Sequence, residues 1–150
     1  MRLGEMLASR GLATQEDIDE ALARQRAEGR RLGNHLVALG VLTVGELLSI
    51  LRDQKDIDAM VELCEHALAE RTAKFGDAHE NTSRARCRLA RAYLLGGRPE
   101  DALAQANFAA ERYRAACGAD HATTRDAEQV AAEARQALAQ SDETPRERAR

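Results

Sequence analysis

A tandem duplication near the N-terminus constrains the fold of this chain more than any other feature of its sequence. Arg2–Gln25 reads RLGEMLASRGLATQEDIDEALARQ, and Arg31–Gln54 reads RLGNHLVALGVLTVGELLSILRDQ. The copies have the same length of 24 residues, are joined by the five residues 26–30, and match at apolar and polar positions alike. Such internal repetition indicates one supersecondary unit given twice, here as four short helices in a small bundle.

Each copy has the pattern of a helix pair. Gly11 and Gly40 follow the first apolar group of each copy and are expected to end the first helix as its C′ residue. Thr14 and Thr43 come next, each followed three residues later by an acidic residue, a variant of the capping box that begins a helix. The apolar residues at helical spacing are Leu3, Met6, Leu7, Ile18, Ala21 and Leu22 in the first copy, and Leu32, Leu36, Leu39, Leu47, Ile50 and Leu51 in the second.

The composition favours helices over strands and excludes several classes of protein. Aromatic residues make up 3% of the chain and β-branched residues are sparse, whereas alanine and arginine are abundant. The formal net charge of −3 provides no basic field for duplex nucleic acid, and no apolar run is long enough to span a membrane. We therefore expect an all-α, cytoplasmic chain without membrane insertion and without nucleic-acid binding.

Residues that often carry catalysis or metal binding occur here without the spacing that either function requires. Cys64, Cys87 and Cys117 form no CxxC pair and are expected to be small buried thiols on helices. His79 and His121 recur at one repeat period, which suits helix capping better than metal binding. Because no GxxxxGK[ST], GxSxG or HExxH pattern is present, we expect no enzymatic activity, no metal and no cofactor.

The polar residues at the ends of the two copies repeat as faithfully as the apolar ones. Arg2 and Gln25 frame the first copy, Arg31 and Gln54 frame the second, and a glycine is the third residue of both. Arginine can donate two hydrogen bonds to guanine O6 and N7, and a glycine lets a ligand approach backbone N–H groups closely. The alternative is structural, with a surface arginine, a capping glutamine and a turn glycine.

The repeated RLGxxLxxxG pattern with its terminal glutamine resembles the MshEN domain over Arg2–Gln54. This domain is the N-terminal module of many type II secretion and type IV pilus assembly ATPases, and it binds cyclic di-GMP through two tandem motifs. The resemblance implies that the arginines engage the guanine bases, that the glutamines add polar contacts and that the leucines form an apolar floor. The implied ligand-binding residues are Arg2, Leu3, Gly4, Ile18, Leu22, Gln25, Arg31, Leu32, Gly33, Leu47, Leu51 and Gln54.

A second, longer period follows the duplication. The segment GDAHENT at 76–82 recurs as GADHATT at 118–124, an offset of 42 residues. Between them the sequence predicts a helix at 81–95, a Gly-Gly-Arg-Pro turn and a helix at 100–116. The period and the linker resemble kinesin-light-chain-type tetratricopeptide repeats, in which large and small apolar residues interlock between paired helices.

These observations divide the chain into three parts. The resemblances imply that residues 1–54 form an MshEN-like cyclic di-GMP-binding domain and that residues 55–140 form a tetratricopeptide-like helical domain. The second domain contains one complete repeat, preceded by a lone helix at about 55–74 and followed by a lone helix at about 123–139. Residues 141–150, rich in charge, are expected to form a disordered tail.

The sequence thus predicts a non-enzymatic bacterial cyclic di-GMP receptor or adaptor. The tetratricopeptide-like helices would present a surface to a protein partner, and the helix after Gln54 would run almost continuously from the ligand-binding domain. The alternative is a constitutive protein-interaction scaffold of a secretion or pilus system that no longer binds nucleotide.

Overall fold

The part of the chain that the structure describes folds into α-helices joined by short turns. A computed structural model describes the backbone of residues 2–148 and the side chains of residues 2–141. Within these residues there are eight helices and no strand, which confirms the predicted all-α class. Two compact units form, Met1–Leu63 and Cys64–Arg150. The helices are α1 Leu3–Ser9, α2 Gln15–Glu28, α3 Leu32–Ala38, α4 Val44–Asp53, α5 Ile57–Phe75, α6 Glu80–Leu95, α7 Pro99–Cys117 and α8 Ala122–Arg148.

The duplication folds as the predicted pair of helix pairs, α1 with α2 and α3 with α4. Thr14 and Thr43 are the N-caps of α2 and α4, and each accepts a hydrogen bond at 3.1 Å from the backbone N–H three residues on. The reciprocal bonds run from the threonine N–H groups to the Asp17 carboxylate at 2.9 Å and to the Glu46 carboxylate at 3.4 Å. Both helix starts therefore satisfy backbone donors that a helix would otherwise leave unpaired.

The glycines between the paired helices have the conformation that their position requires. Gly11 has φ of 68° and Gly40 has φ of 77°, in the left-handed region that other residues enter at a cost. Each follows the C-cap of its short helix, Arg10 or Leu39. The expectation that these glycines end α1 and α3 is confirmed.

Repeated apolar residues form the core of the first unit. Leu7 and Leu36, which occupy the same position in the two copies, are both fully buried. Ile18 and Leu47, a second equivalent pair, are 5% and 1% exposed. Burial of one such side chain contributes about 1.5–3 kcal/mol, so the matched aliphatic positions stabilise this small bundle.

The segment between α4 and α5 breaks the helix. Gln54 is the C-cap of α4, and Lys55 has φ of 58°, a left-handed conformation in a residue other than glycine. Asp56 then begins α5, since its carboxylate accepts a hydrogen bond from the Ala59 N–H at 3.2 Å. The expectation of an almost continuous helix after Gln54 is therefore wrong, because a turn with its own cap separates the two helices.

The linker that precedes α6 and the one that precedes α8 have the same construction. The Thr82 hydroxyl is fully buried and donates to the Gly76 carbonyl at 2.7 Å, and the Thr124 hydroxyl donates to the Gly118 carbonyl at 2.8 Å. These bonds tie the first turn of each helix back to the start of its linker. The repeated threonine of the linker is therefore a structural residue.

The linker histidines act as caps. The Nδ1 atom of His79, the N-cap of α6, accepts a hydrogen bond from the Asn81 N–H at 3.1 Å. The Nδ1 atom of His121 accepts one from the Thr123 N–H at 3.3 Å. The predicted capping role of both histidines is confirmed.

Alanine-rich faces allow the helices of the second unit to approach closely. Ala102, Ala106 and Ala109 of α7 are completely buried, as is Ala127 of α8. Tyr93 of α6 is a large side chain at this interface, and its hydroxyl donates a hydrogen bond to the Glu65 carboxylate at 3.0 Å. The Arg98 guanidinium lies 4.4 Å from the centre of the Tyr93 ring. The alternation of large and small side chains is the interlocking that the sequence predicts for a tetratricopeptide-type helix pair.

The observed helix bounds differ from prediction mainly at the C-terminus. Helix α8 continues to Arg148, past the residue 139 at which the sequence predicts that it ends. The side chains of 142–150 lie outside the described residues, so the predicted tail at 141–150 stays a prediction.

Candidate ligand-binding site

A cavity of about 210 Å³ lies in the first unit, where the start of α3 meets the ends of α2 and α4. Its wall contains apolar side chains from both copies of the duplication, two glutamines, one arginine and the beginning of α5. The lining residues are Leu3, Gln25, Arg31, Leu32, Gly33, Asn34, Leu47, Leu51, Gln54, Asp56 and Ala59.

This cavity brings together most of the residues that the sequence singles out. All six implied residues of the second copy line it, but only Leu3 and Gln25 of the first copy do. Asn34, Asp56 and Ala59 also line it, and none of them belongs to the set implied by the resemblance. The site is therefore built mainly on the second copy, with the N-terminal end of α5 completing its wall.

The remaining residues implied for the first copy lie elsewhere. Gly4 and Ile18 are buried in the core, and Leu22 is half-buried against it. Arg2 is exposed as the N-cap of α1, and its backbone N–H donates to the Glu5 carboxylate at 3.2 Å. None of these four residues lines the cavity.

The volume of the cavity limits what it can enclose. Pockets that bury a drug-sized ligand have volumes of about 300–1,000 Å³, which exceeds the volume found here. Arg31 and Gln54, which line the cavity, are also exposed to solvent.

Arg31 is the charged centre of the site. Its Nε donates to the Glu62 carboxylate at 2.6 Å, and one terminal nitrogen lies 3.7 Å from the Asp56 carboxylate. The hydrogen bond with Glu62 is the main cause that raises the pKa of Arg31 above its ordinary value. Because arginine keeps its proton at any physiological pH, the site presents a permanent guanidinium between two carboxylates.

The two carboxylate partners of Arg31 were missed by sequence reasoning. Asp56 and Glu62 follow the duplication and have no equivalent in its repeating pattern. They reach Arg31 because α5 turns back on the first unit after Lys55, a long-range arrangement that the local sequence does not encode. The ion pairs join the N-cap of α3 to Asp56 and to α5, two helices further along the chain, and such contacts leave no periodic signal in the sequence.

The glycine of each RLG triplet has a packing role. A Cβ atom on Gly33 would lie 2.8 Å from Cδ2 of Leu47, and one on Gly4 would lie 3.2 Å from Cγ2 of Ile18. Any side chain at these positions would press on a buried aliphatic residue of the partner helix. This packing accounts for the repeated glycine by itself, and the predicted close approach of a ligand to these glycines stays a prediction.

A second cavity, of about 530 Å³, lies in the second unit between α7 and α8. Its wall is mostly polar, and its charged groups are partly neutralised by one another. Arg114 forms an ion pair with Glu128, and Arg135 donates to the Asn107 side-chain oxygen at 3.2 Å. The lining residues are Asn107, Ala110, Glu111, Arg114, Glu128, Ala131 and Arg135.

The described residues hold no cluster that could bind a metal ion, and the two buried thiols are not activated. No group of three or more His, Cys, Asp or Glu residues in this part of the chain is placed to hold a metal ion. Burial raises the pKa of Cys64 and of Cys87 to about 11, so both stay protonated at neutral pH. Cys117 is exposed, and all three thiols are free.

Hydropathy gives one further result. Within residues 2–148, no helix combines the length and the apolar character needed to cross a lipid bilayer.

Comparison with known protein families gives a match, which covers part of the chain. Residues 43–115 match a family model described as tetratricopeptide repeat, a region that begins at the N-cap of α4 and ends within α7. No curated protein and no solved structure matches the chain. The match supports the tetratricopeptide-type interpretation of these helices, whereas the resemblance of Arg2–Gln54 to the MshEN domain receives no support from the comparisons.

Tetratricopeptide-type helices suggest a role in protein–protein interaction. Helix pairs of this kind stack into an array whose surface is available to a partner chain. A protein partner is therefore the functional expectation for this part of the molecule.

Proposed function

We propose that the chain is a non-enzymatic cyclic di-GMP receptor or adaptor. In this account the first unit binds one guanine of the dinucleotide in its cavity, and the tetratricopeptide-type helices contact a protein partner. The observation that carries the proposal is the convergence of Arg31, Gln25 and Gln54 on one cavity with a leucine floor. Polar residues from the ends of the two copies therefore line the same cavity.

The lining of the cavity suits a purine base. A base presents two flat apolar faces, which Leu32, Leu47 and Leu51 can contact, and a polar edge. The O6 and N7 atoms of guanine accept hydrogen bonds from a guanidinium, and amide side chains can both donate to and accept from the remaining edge. Guanine satisfies this combination better than adenine, whose N6 amino group would face Arg31.

The output of the receptor would pass through α5. Asp56 and Ala59 line the cavity, and the helix that they begin also belongs to the region matched by the tetratricopeptide family model. In this account the ligand binds one arrangement of α5 more tightly than another, so binding shifts the population toward the first arrangement. The ratio of the two affinities sets how far the fraction of molecules able to bind the partner changes.

Two contacts favour the alternative of a constitutive interaction scaffold. Packing of Gly33 on Leu47 and the ion pair of Arg31 with Glu62 give two of the repeated residues a structural role without any ligand. A scaffold of this kind would use the duplication only as a stable bundle. It would still contact a protein partner through the tetratricopeptide-type helices.

Calorimetric titration with cyclic di-GMP separates the two proposals. We expect saturable one-to-one binding that GTP and cyclic di-AMP do not reproduce, and loss of binding in the Arg31→Ala variant. The matched control is Arg24→Ala, which removes an equally half-exposed arginine, one that pairs with Glu20 on α2 and does not line the cavity. Absence of binding in folded wild-type protein would favour the scaffold.

A further inference from the structure

We propose that Glu62 is a positioning residue, which holds the Arg31 guanidinium so that its terminal nitrogens face the cavity. The inference rests on the proposed function, in which Arg31 contacts a guanine base. Glu62 belongs neither to the duplication nor to the cavity wall. Its contribution would therefore be made entirely through Arg31.

The geometry of the two ion pairs gives the direction of the guanidinium. The Nε of Arg31 donates to Glu62, which lies outside the cavity, at 2.6 Å. A terminal nitrogen of Arg31 points toward Asp56, which lines the cavity, at the longer distance of 3.7 Å. The Nε of the guanidinium is thus fixed by Glu62 outside the cavity, and the terminal nitrogen near Asp56 lies at the cavity wall.

The difference between the two distances assigns different roles to the two carboxylates. At 2.6 Å the contact with Glu62 is a short, charge-assisted hydrogen bond, whereas 3.7 Å exceeds hydrogen-bond distance. A guanine edge could take the place of Asp56 next to the terminal nitrogens without disturbing Glu62. Asp56 competes with the ligand, and Glu62 remains in place when the ligand binds.

Holding the side chain in advance increases affinity. A free arginine side chain has several rotatable bonds and loses this freedom when it binds a ligand. If Glu62 has already restricted those rotations, the loss on binding is smaller and the affinity is higher. The side chains of Arg31 and Glu62 are 48% and 47% exposed, so the pair contributes little to folding stability and Glu62 can be changed without unfolding the unit.

Two readouts test the proposal, and the first needs no ligand. Proton exchange at the Arg31 Nε–H is measured by nuclear magnetic resonance in wild type, Glu62→Gln and the control Glu16→Gln, with Arg31→Lys to assign the signal. We expect exchange to be faster by about tenfold in Glu62→Gln and unchanged in Glu16→Gln, since Glu16 is an exposed α2 residue that does not line the cavity. Equal exchange in Glu62→Gln and wild type would overturn the proposal.

The second readout is the affinity for cyclic di-GMP in a double-mutant cycle. Glu62→Ala is expected to weaken binding about tenfold, and Glu16→Ala to leave it unchanged. With Arg31→Lys, which retains a charge but has no Nε–H in this position, Glu62→Ala is expected to cause little further loss. Tighter binding in Glu62→Ala would show that the Glu62 carboxylate competes with the ligand for Arg31, and this result would overturn the positioning role. If wild type fails to bind, the proposed function fails, and the exchange measurement alone decides whether Glu62 orients Arg31.

Discussion

Gly33 lies so close to Leu47 that a Cβ atom at residue 33 would be 2.8 Å from Cδ2 of that leucine. Leu47 is 1% exposed and belongs to the core of the first unit, so it has little room to move. The first copy repeats the relationship between Gly4 and Ile18 at 3.2 Å. The close approach of the paired helices is therefore a property of the duplication itself.

Gly33→Ala is expected to destabilise the protein. Overpacking against a buried leucine costs about 1–3 kcal/mol, and the better helix propensity of alanine offsets up to about 1 kcal/mol of this. We expect a net loss of about 1 kcal/mol in the free energy of unfolding, measured by urea denaturation with circular dichroism detection. Gly4→Ala should cost less, because its closest contact is longer.

Gly45→Ala provides the matched control. Gly45 lies in the first turn of α4, and an added Cβ would meet only the Thr43 hydroxyl at 3.9 Å, an ordinary contact. We expect this variant to be more stable than wild type by up to about 1 kcal/mol. Equal effects of Gly33→Ala and Gly45→Ala would contradict the packing role of Gly33.

His35→Met is expected to stabilise the first unit. His35 is 3% exposed, and its Nε2 has no hydrogen-bond partner among the described residues. The equivalent position in the first copy is Met6, which is 9% exposed. Removal of a buried, unpaired polar atom is worth about 1–3 kcal/mol, so thermal unfolding of His35→Met should occur at a higher temperature.

The reciprocal variant, Met6→His, serves as the control for this prediction. It places an imidazole at the equivalent buried site of the first copy and is expected to lower the unfolding temperature. A lower unfolding temperature for His35→Met than for wild type would show that the imidazole contributes packing that methionine does not replace.

Thr82→Val should destabilise the second unit. The Thr82 hydroxyl is completely buried and donates to the Gly76 carbonyl, so valine keeps the shape but leaves that acceptor unpaired. The expected loss is about 1–3 kcal/mol, measured by denaturant unfolding. Thr124→Val, in the equivalent linker, should behave alike, whereas Thr72→Val on the half-buried face of α5 should change stability by less than about 0.5 kcal/mol.

Alkaline pH should destabilise the folded chain. Burial raises the pKa of Cys64 and Cys87 from 9.0 to about 11, and that of Tyr113 from 10.0 to about 12. Between the unfolded-state and folded-state pKa values of the two cysteines, the folded state binds more protons than the unfolded state. The contribution of these thiols to stability is therefore fully present below pH 9 and declines as the pH rises toward about 11. Denaturant unfolding at pH 8 and pH 10.5 measures the decline, which should be smaller in Cys64→Ala than in wild type.

Local features of the fold could be predicted because local chemistry decides them. The caps at Thr14 and Thr43 depend on residues three positions away, and the glycines after α1 and α3 depend on one backbone conformation. The linker histidines follow from the same short-range logic. In each case the sequence signal and the hydrogen bond lie within one helical turn.

Two features that depend on long-range packing could not be predicted. Lys55 adopts a left-handed conformation that no residue preference indicates, and this turn brings Glu62 to Arg31. The sequence pointed to Gly33 as a place of ligand approach, but its closest neighbour is a leucine of the next helix. Most residues that line the cavity are thus ones that the sequence singles out, whereas the carboxylates around Arg31 are not, and ligand binding by these residues stays a prediction.

The central claim is that the cavity of the first unit binds cyclic di-GMP, and chemical-shift mapping tests it most directly. The account predicts that adding cyclic di-GMP to isotope-labelled protein shifts the side-chain signals of Gln25 and Gln54 and the amide signals of Gly33 and Ala59, all of which line the cavity. The Arg31→Ala variant should lose these shifts while keeping its fold. Absence of shifts in wild type at saturating ligand, or shifts confined to residues outside the cavity, would contradict the account.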